Sequence, residues 1–541
     1  MSDAHGHEGG HTKEEKKEPV VFSRGKIAEI LSAVHIKKVA EAPEGSRITV
    51  HATISRFAVL YEKIRNAIDY KDDHLLRKAA IVRILKRHLH LETDAALVAT
   101  NLIRELIAAR YLPNGVLPES MIGEAALIIR KFQAVKETHI GSERFHAWLL
   151  GIVAAELEEL LDGHAQEKAL VNFLFEQLGE RITLRNMTMD ETERRLQVYV
   201  ACHRSLSKAD DEMMSYKLVR AYHTAWMQPA HWLEDPRDMT QEMVEVETLV
   251  HGQLKHPLAQ KFLHAVKPWA VALGMLRDVL MEKPDHAEHL LDHPEELHVT
   301  IGRMAERRYK ESKGKLRRGT VRAIVYLFIT KILLALVIEV PFEQYLYKEF
   351  NQITLAINVL FPPILMLIIG SMIRVPSKEN VIRLKQAVDE LLSVEGPPGK
   401  QIRPVKAQAG FGNFLLNIIY LAMFLITFGI IFILLKTFYF TWVSASIFIF
   451  FLCIVSFFAF RLRLAAREYV VVERAERFRT ALLDFFSFPI LRAGQWLSST
   501  ISHLNIFIFF FDFIIETPFK IFLTILEEWL AFIKEKKEEL Q

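Results

Sequence analysis

Four apolar stretches, Val321–Val340, Ile353–Ile373, Phe414–Leu435 and Trp442–Phe460, dominate the second half of the 541-residue chain. Each has the ~20 residues that a helix rising 1.5 Å per residue needs to cross a hydrocarbon core of ~30 Å. A chain with four such runs is expected to be an all-α polytopic membrane protein. The expected organisation is a disordered polar tail at 1–20, a cytoplasmic all-α domain at 21–320, four spans between 321 and 460, and cytoplasmic amphipathic or interfacial helices at 461–541. Net charge is +3, too near neutral to argue for nucleic acid. Cys202 and Cys453 are the only cysteines; a disulfide framework is therefore not expected and a cysteine-rich zinc site is excluded. The first twenty residues lack an apolar core, so no secretory signal is read there, and their acidic residues argue against a mitochondrial address.

Loop charge sets the expected orientation. Arg307, Arg308, Lys310, Lys313, Lys315, Arg317, Arg318 and Arg322 precede the first span. Pro341–Gln352 carries only Lys348, whereas the following loop, 374–412, is rich in Lys and Arg. The turn between spans three and four has only Lys436, and arginines resume at Arg461. Retention of such residues on the cytoplasmic side puts the helical body and both termini inside. With no organellar address in view, a bacterial inner membrane is the expected location. Tyr345, Tyr347, Tyr439 and Trp442 then fall at the outer interface. In the tail, Asn505–Ile515 is too short to span, and Phe519–Ile533 is apolar on one face. Both read as helices on the inner leaflet or against the bundle.

The body has helical periodicity from about Val21 to Tyr309. Thr188 and Glu191 suggest a capping box, Asp94 an N-cap, and Pro113-Asn114-Gly115 and Asp162-Gly163 breaks. Residues 47–52 hint at a strand. Tail residues 1–20 are polar and read as disordered. In the 374–412 loop, a helix at about Glu379–Leu392 presents Val381, Leu384, Val388 and Leu391 on one side, and Gly396-Pro397-Pro398-Gly399 ends it. That last segment lacks the spacing of a phosphate loop.

Candidate sites follow from residues that are costly where they stand. Lys331 is central in the first span, where a charge costs about 2.5–3.5 kcal/mol on insertion scales. Pro362 and Pro363 disrupt the helical bonds to the carbonyls of Asn358 and Val359. Those carbonyls and the Asn358 amide are expected acceptors for the lysine; Glu339, nearer the span's end, carries less weight. Elsewhere, His286, His289 and His293 fall at i, i+3 and i+7 of a short helix, a spacing that suits a divalent metal, with a solvated or pH-responsive patch as the alternative. His7-Glu8-Gly9-Gly10-His11 matches a zinc-protease pattern literally, but its glycines defeat the rigid helix that chemistry needs. Lys78, Arg83, Lys86 and Arg87 read as a solvated helix face rather than a nucleic-acid surface. Arg307, Arg308, Lys313, Lys315, Arg317 and Arg318 are expected to meet anionic lipid headgroups.

No reaction motif emerges and no cofactor is expected. Two functions are carried forward. The first is a membrane-anchored scaffold or regulatory protein that binds a cytoplasmic protein partner. The second is an ion channel or transporter with a path near Lys331 and the Pro362-Pro363 kink, which with four spans would act as a homo-oligomer. An enzyme, resting on the histidine cluster, is third.

Overall fold

The computed structural model describes residues 22–35, 47–50, 72–139, 142–185, 189–346, 352–372, 378–403, 411–466 and 478–503, with Val59, Glu62, Val471, Ile525 and Trp529. The polar tail with its histidines, Thr188, Tyr347, Lys348 and the runs 505–515 and 519–533 (Ile525 and Trp529 apart) lie outside the described residues.

The fold is all-α. The helices are α1 (Arg24–His35), α2 (Asp73–Leu91), α3 (Ala95–Ala108), α4 (Ser120–Thr138), α5 (Glu143–Asp162), α6 (Ala165–Leu178), α7 (Glu191–Leu206), α8 (Asp211–Tyr222), α9 (Arg237–Leu254) and α10 (Ala259–Glu282). They continue as α11 (Ala287–Asp292), α12 (Pro294–Leu334), α13 (Val340–Leu346), α14 (Gln352–Met372), α15 (Lys378–Leu392), α16 (Phe411–Thr437), α17 (Trp442–Ala466) and α18 (Phe478–His503). Local signals explain several boundaries. Asp94 caps α3 by accepting from the Ala96 amide at 2.9 Å. Gly163 ends α5 with φ +60°, a conformation that glycine adopts without strain. Asp190 caps α7, accepting from the Thr192 and Glu193 amides.

Two apolar cores build the body. The first gathers α2–α5, α8 and α9 around Leu102, Ile129, Leu149 and Trp226. The second joins α1, α6, α7, α10, α11 and the start of α12 with α15, burying Phe173, Phe262, Leu276, Leu384, Val388 and Leu391 together. The helix between spans two and three is thus part of the body's core. Beside it, β1 (Ile182–Leu184) pairs in parallel with β2 (Lys400–Ile402). Of the strand hinted at 47–52, the described residues show one isolated bridge, Arg47 to Pro118.

Among the described residues, four helices are long and apolar enough to cross a membrane: Pro294–Phe342, Gln352–Ser371, Phe414–Thr437 and Trp442–Arg463. The first is continuous with the body: α12 starts in the second core and runs on, through a π-helical turn at Ala335–Glu339, into α13. Span two approaches α12 closely at Gly370, where an added Cβ would lie 2.5 Å from Thr320 Cγ2. Leu327, Met366, Val455, Ala459 and Leu462 interlock spans one, two and four. The remaining helix, α18, packs along span four, with Gly494 against the Cys453 carbonyl.

Candidate intramembrane site

Lys331, Glu339, Asn358 and Ser444 come together from spans one, two and four, each 0–1% exposed. The π-turn makes this meeting geometrically reasonable. Eight α-helical steps turn through about 800°, leaving residue i+8 some ~80° off the starting face. A π-turn takes in one extra residue, which removes about 100° and returns Glu339 to within roughly 20° of the Lys331 face. Lys331 Nζ lies 3.9 Å from Glu339 Oε2 and 4.6 Å above the Phe451 ring of span four. Glu339 Oε1 accepts from Asn358 Nδ2 and from Ser444 Oγ. Asn358 Nδ2 also donates to Ser444, at 3.1 Å to Oγ and 3.3 Å to the carbonyl.

This differs from the lysine–carbonyl arrangement expected from the proline pair. Pro362 and Pro363 are buried within α14, but the ammonium's nearest charged partner is the carboxylate of its own span. An acid in the same helix outcompetes neutral carbonyls for a cation. Asn358 belongs to the cluster as a donor to Glu339. Glu339 and Ser444 are the residues that sequence reasoning undervalued or missed. A serine in an apolar helix is unremarkable, and nothing in the residue pattern announces the π-turn.

The cluster is incompletely satisfied. Among the described residues, Lys331 Nζ, Glu339 Oε2 and Asn358 Oδ1 are buried with no hydrogen-bond partner. A counterpart in the body of the same chain shows what completion looks like. Lys131 lies 4.6 Å over the Trp226 ring and donates to Glu156 Oε1, while Trp226 Nε1 donates to Glu156 Oε2 at 3.1 Å. Both carboxylate oxygens and the ammonium are partnered there, as a structural buried pair requires. The membrane site has the same lysine–glutamate–aromatic composition and leaves three polar atoms open.

The other sequence candidates resolve differently. His286, His289 and His293 do not share one helix. Pro284 opens a 3-10 turn ending at His286, α11 ends at Asp292, and Pro294 starts α12. His293 stacks on His289 at 4.2 Å and contacts its carbonyl through Nδ1, and His289 faces Glu296 at 3.5 Å. The two prolines divide the helix that the i, i+3, i+7 spacing required. Of the α2 cations, Lys86 is exposed, as a solvated face requires, but the other three are engaged with acids of the body. Lys78 is 3% exposed and pairs with Asp210 and Glu212, Arg83 with Glu62, and Arg87 with Glu105. In the juxtamembrane run, Arg307 pairs with Glu282 and Arg308 with Asp278, while Lys313, Lys315, Arg317 and Arg318 are exposed.

Among the described residues, one group places three metal-capable side chains together: Glu158, Asp162 and His164. Arg77 occupies it, 2.8 Å from Glu158 and 2.5 Å from Asp162, so it is an ion-pair network. Burial pushes the His164 pKa down, but hydrogen bonds and charge from Glu158 and Glu167 outweigh it and raise it to about 10. Glu167 moves the other way, to about 2, because its bond to His164 outweighs its own burial. A raised histidine pKa contributes stability that is fully present below its ordinary 6.5 and is lost as pH climbs to about 10. Glu167 adds stability present above 4.5 and lost toward pH 2. Urea midpoints of the body should therefore fall between pH 6.5 and 10, and His164→Asn should flatten that slope; an unchanged slope would remove His164 as its source.

Comparison with protein-family models, with curated proteins and with solved structures gives no match to this chain.

Proposed function

We propose that the protein is a channel or transporter in which Glu339 exchanges its partner between the Lys331 ammonium and an incoming proton or small cation. The observation that carries this reading is the open pair: a buried carboxylate and ammonium at 3.9 Å with unpartnered Glu339 Oε2, Lys331 Nζ and Asn358 Oδ1. Ionisable groups inside membrane helices are costly and characteristically mark ion paths or proton relays. The oxygens of Glu339, Asn358 and Ser444 form a hard donor set suited to a proton or an alkali cation. Lys331 serves as the internal cation that neutralises Glu339 when neither is bound. The continuous helix from the body's second core to Glu339 supports a further element of the reading, in which movements of the body change the register of the pair. The loop charges support a cytoplasmic body, with Lys313, Lys315, Arg317 and Arg318 against anionic headgroups.

The scaffold with a cytoplasmic partner is the second reading, favoured by the enclosure of the site: Lys331 and Asn358 are each 0% exposed. Proteoliposome flux separates the two. Proton or alkali-cation flux through the full-length protein, reduced at least tenfold by Glu339→Gln and by Lys331→Leu, is the expected result. No flux of any of these ions through folded wild-type protein would overturn transport in favour of the scaffold.

A further inference from the structure

We infer that the outward face of α18 is the contact between two copies of this chain within the membrane. The argument starts from depth. Cys453 is central in the Trp442–Arg463 span, and Gly494 of α18 sits directly on its carbonyl, with Phe457 Cβ also against the position. Phe451, two residues from Cys453 and about 200° away around the helix, faces Lys331 instead. Span four is therefore packed on one side by the ion-pair cluster and on the other by α18, at similar depth.

The face of α18 turned away from span four is not one that lipid can solvate. Phe485, Phe488, Arg492, Gln495, Trp496 and Ser499 are exposed and fall within about 100° of arc at 3.6 residues per turn. Among the described residues, the Arg492 guanidinium donates to one acceptor, Gln495 Oε1 at 2.8 Å. Four of its five N–H donors thus remain for another partner. A guanidinium at this depth faces protein or water rather than hydrocarbon. Trp496, 64% exposed, flanks the polar pair on one side, and Phe488, T-shaped against Tyr420 of α16 at 5.9 Å, borders it on the side of span three. A polar centre bordered by large aromatic side chains is the composition of a protein interface, and a water-lined path would be polar along its length.

The occupant that fits is a second copy. A two-fold contact brings a patch against itself, so each patch must carry both donor and acceptor. Arg492 and Gln495, one turn apart, supply both: across the axis each guanidinium donates to the other copy's Gln495 amide oxygen, and the aromatic residues pack on one another. This inference concerns assembly and stands apart from the transport reading.

The test is disulfide cross-linking of full-length Trp496→Cys in liposomes, read on non-reducing gels. The native Cys202 and Cys453 are both buried, which keeps the background low. The expected result is a covalent dimer for Trp496→Cys, its yield lowered at least fivefold by adding Arg492→Leu or Gln495→Ala. Leu421→Cys, exposed on α16, should give none. Single-molecule photobleaching at low protein density should show two steps. One-step bleaching with no Trp496→Cys dimer would overturn the inference, as would a dimer yield indifferent to both polar substitutions.

Discussion

Glu339→Ala is expected to lower the unfolding free energy by about 3–5 kcal/mol, the usual cost of stranding one member of a buried ion pair. Its effect should exceed that of Lys331→Leu. Without Glu339 the ammonium keeps, among the described residues, only the Phe451 ring at 4.6 Å. Without Lys331 the carboxylate keeps its donors from Asn358 and Ser444 and can take up a proton. The double variant Lys331→Leu/Glu339→Leu removes both charges and should recover most of the loss, because apolar replacement of a whole buried pair is often neutral or stabilising. SDS- or urea-driven unfolding in mixed micelles gives this ranking directly. The double variant is the informative one for function: restored stability with abolished flux means that the pair is kept for transport, against the architecture's own stability. Equal stability of all three single and double variants would show that the pair is not coupled.

What could be read from the residues, and what could not, follows from how local each determinant is. The spans were legible because twenty apolar residues form a contiguous signal. Lys331 and Asn358 were legible because they interrupt it. Glu339 stands in the same run, but α-helical phase points it about 80° from Lys331. The π-turn that corrects the phase depends on packing among three spans, which no single segment encodes. Ser444 is a common residue whose role appears only when span four is placed beside span two. The periodicity of α15 exposed an apolar face, and its burial beside Phe262 and Leu276 required the third dimension. Of the α2 cations, Lys86 is exposed as expected, but Lys78, Arg83 and Arg87 depart from a solvated face for the same reason. Their acids lie elsewhere in the chain, at Asp210, Glu212, Glu62 and Glu105, and charge pattern within one helix is silent about partners from another.

Gly494→Leu should have the second large effect, and its reason is steric rather than electrostatic. At most positions a new Cβ displaces a side chain that can rotate away. At Gly494 it would overlap the Cys453 carbonyl oxygen and lie 2.8 Å from both the carbonyl carbon and Phe457 Cβ. A backbone carbonyl within a helix cannot yield alone, so the axes of α17 and α18 must separate. Gly494→Ala should already cost about 1–3 kcal/mol, the range for overpacked cores, and leucine more. Gly429 in α16 is the matched control: nothing lies within 4 Å of a Cβ there. Gly429→Ala should be neutral or slightly stabilising, since alanine favours a helix over glycine by up to ~1 kcal/mol. Thermal unfolding in detergent would show the contrast. Separation of α18 should also abolish the Trp496→Cys dimer while leaving ion flux measurable, because the Lys331 cluster touches the opposite side of span four. Equal tolerance of the two alanine substitutions would mean that α18 does not pack on span four at Gly494, and the depth assigned to Arg492 would fall with it.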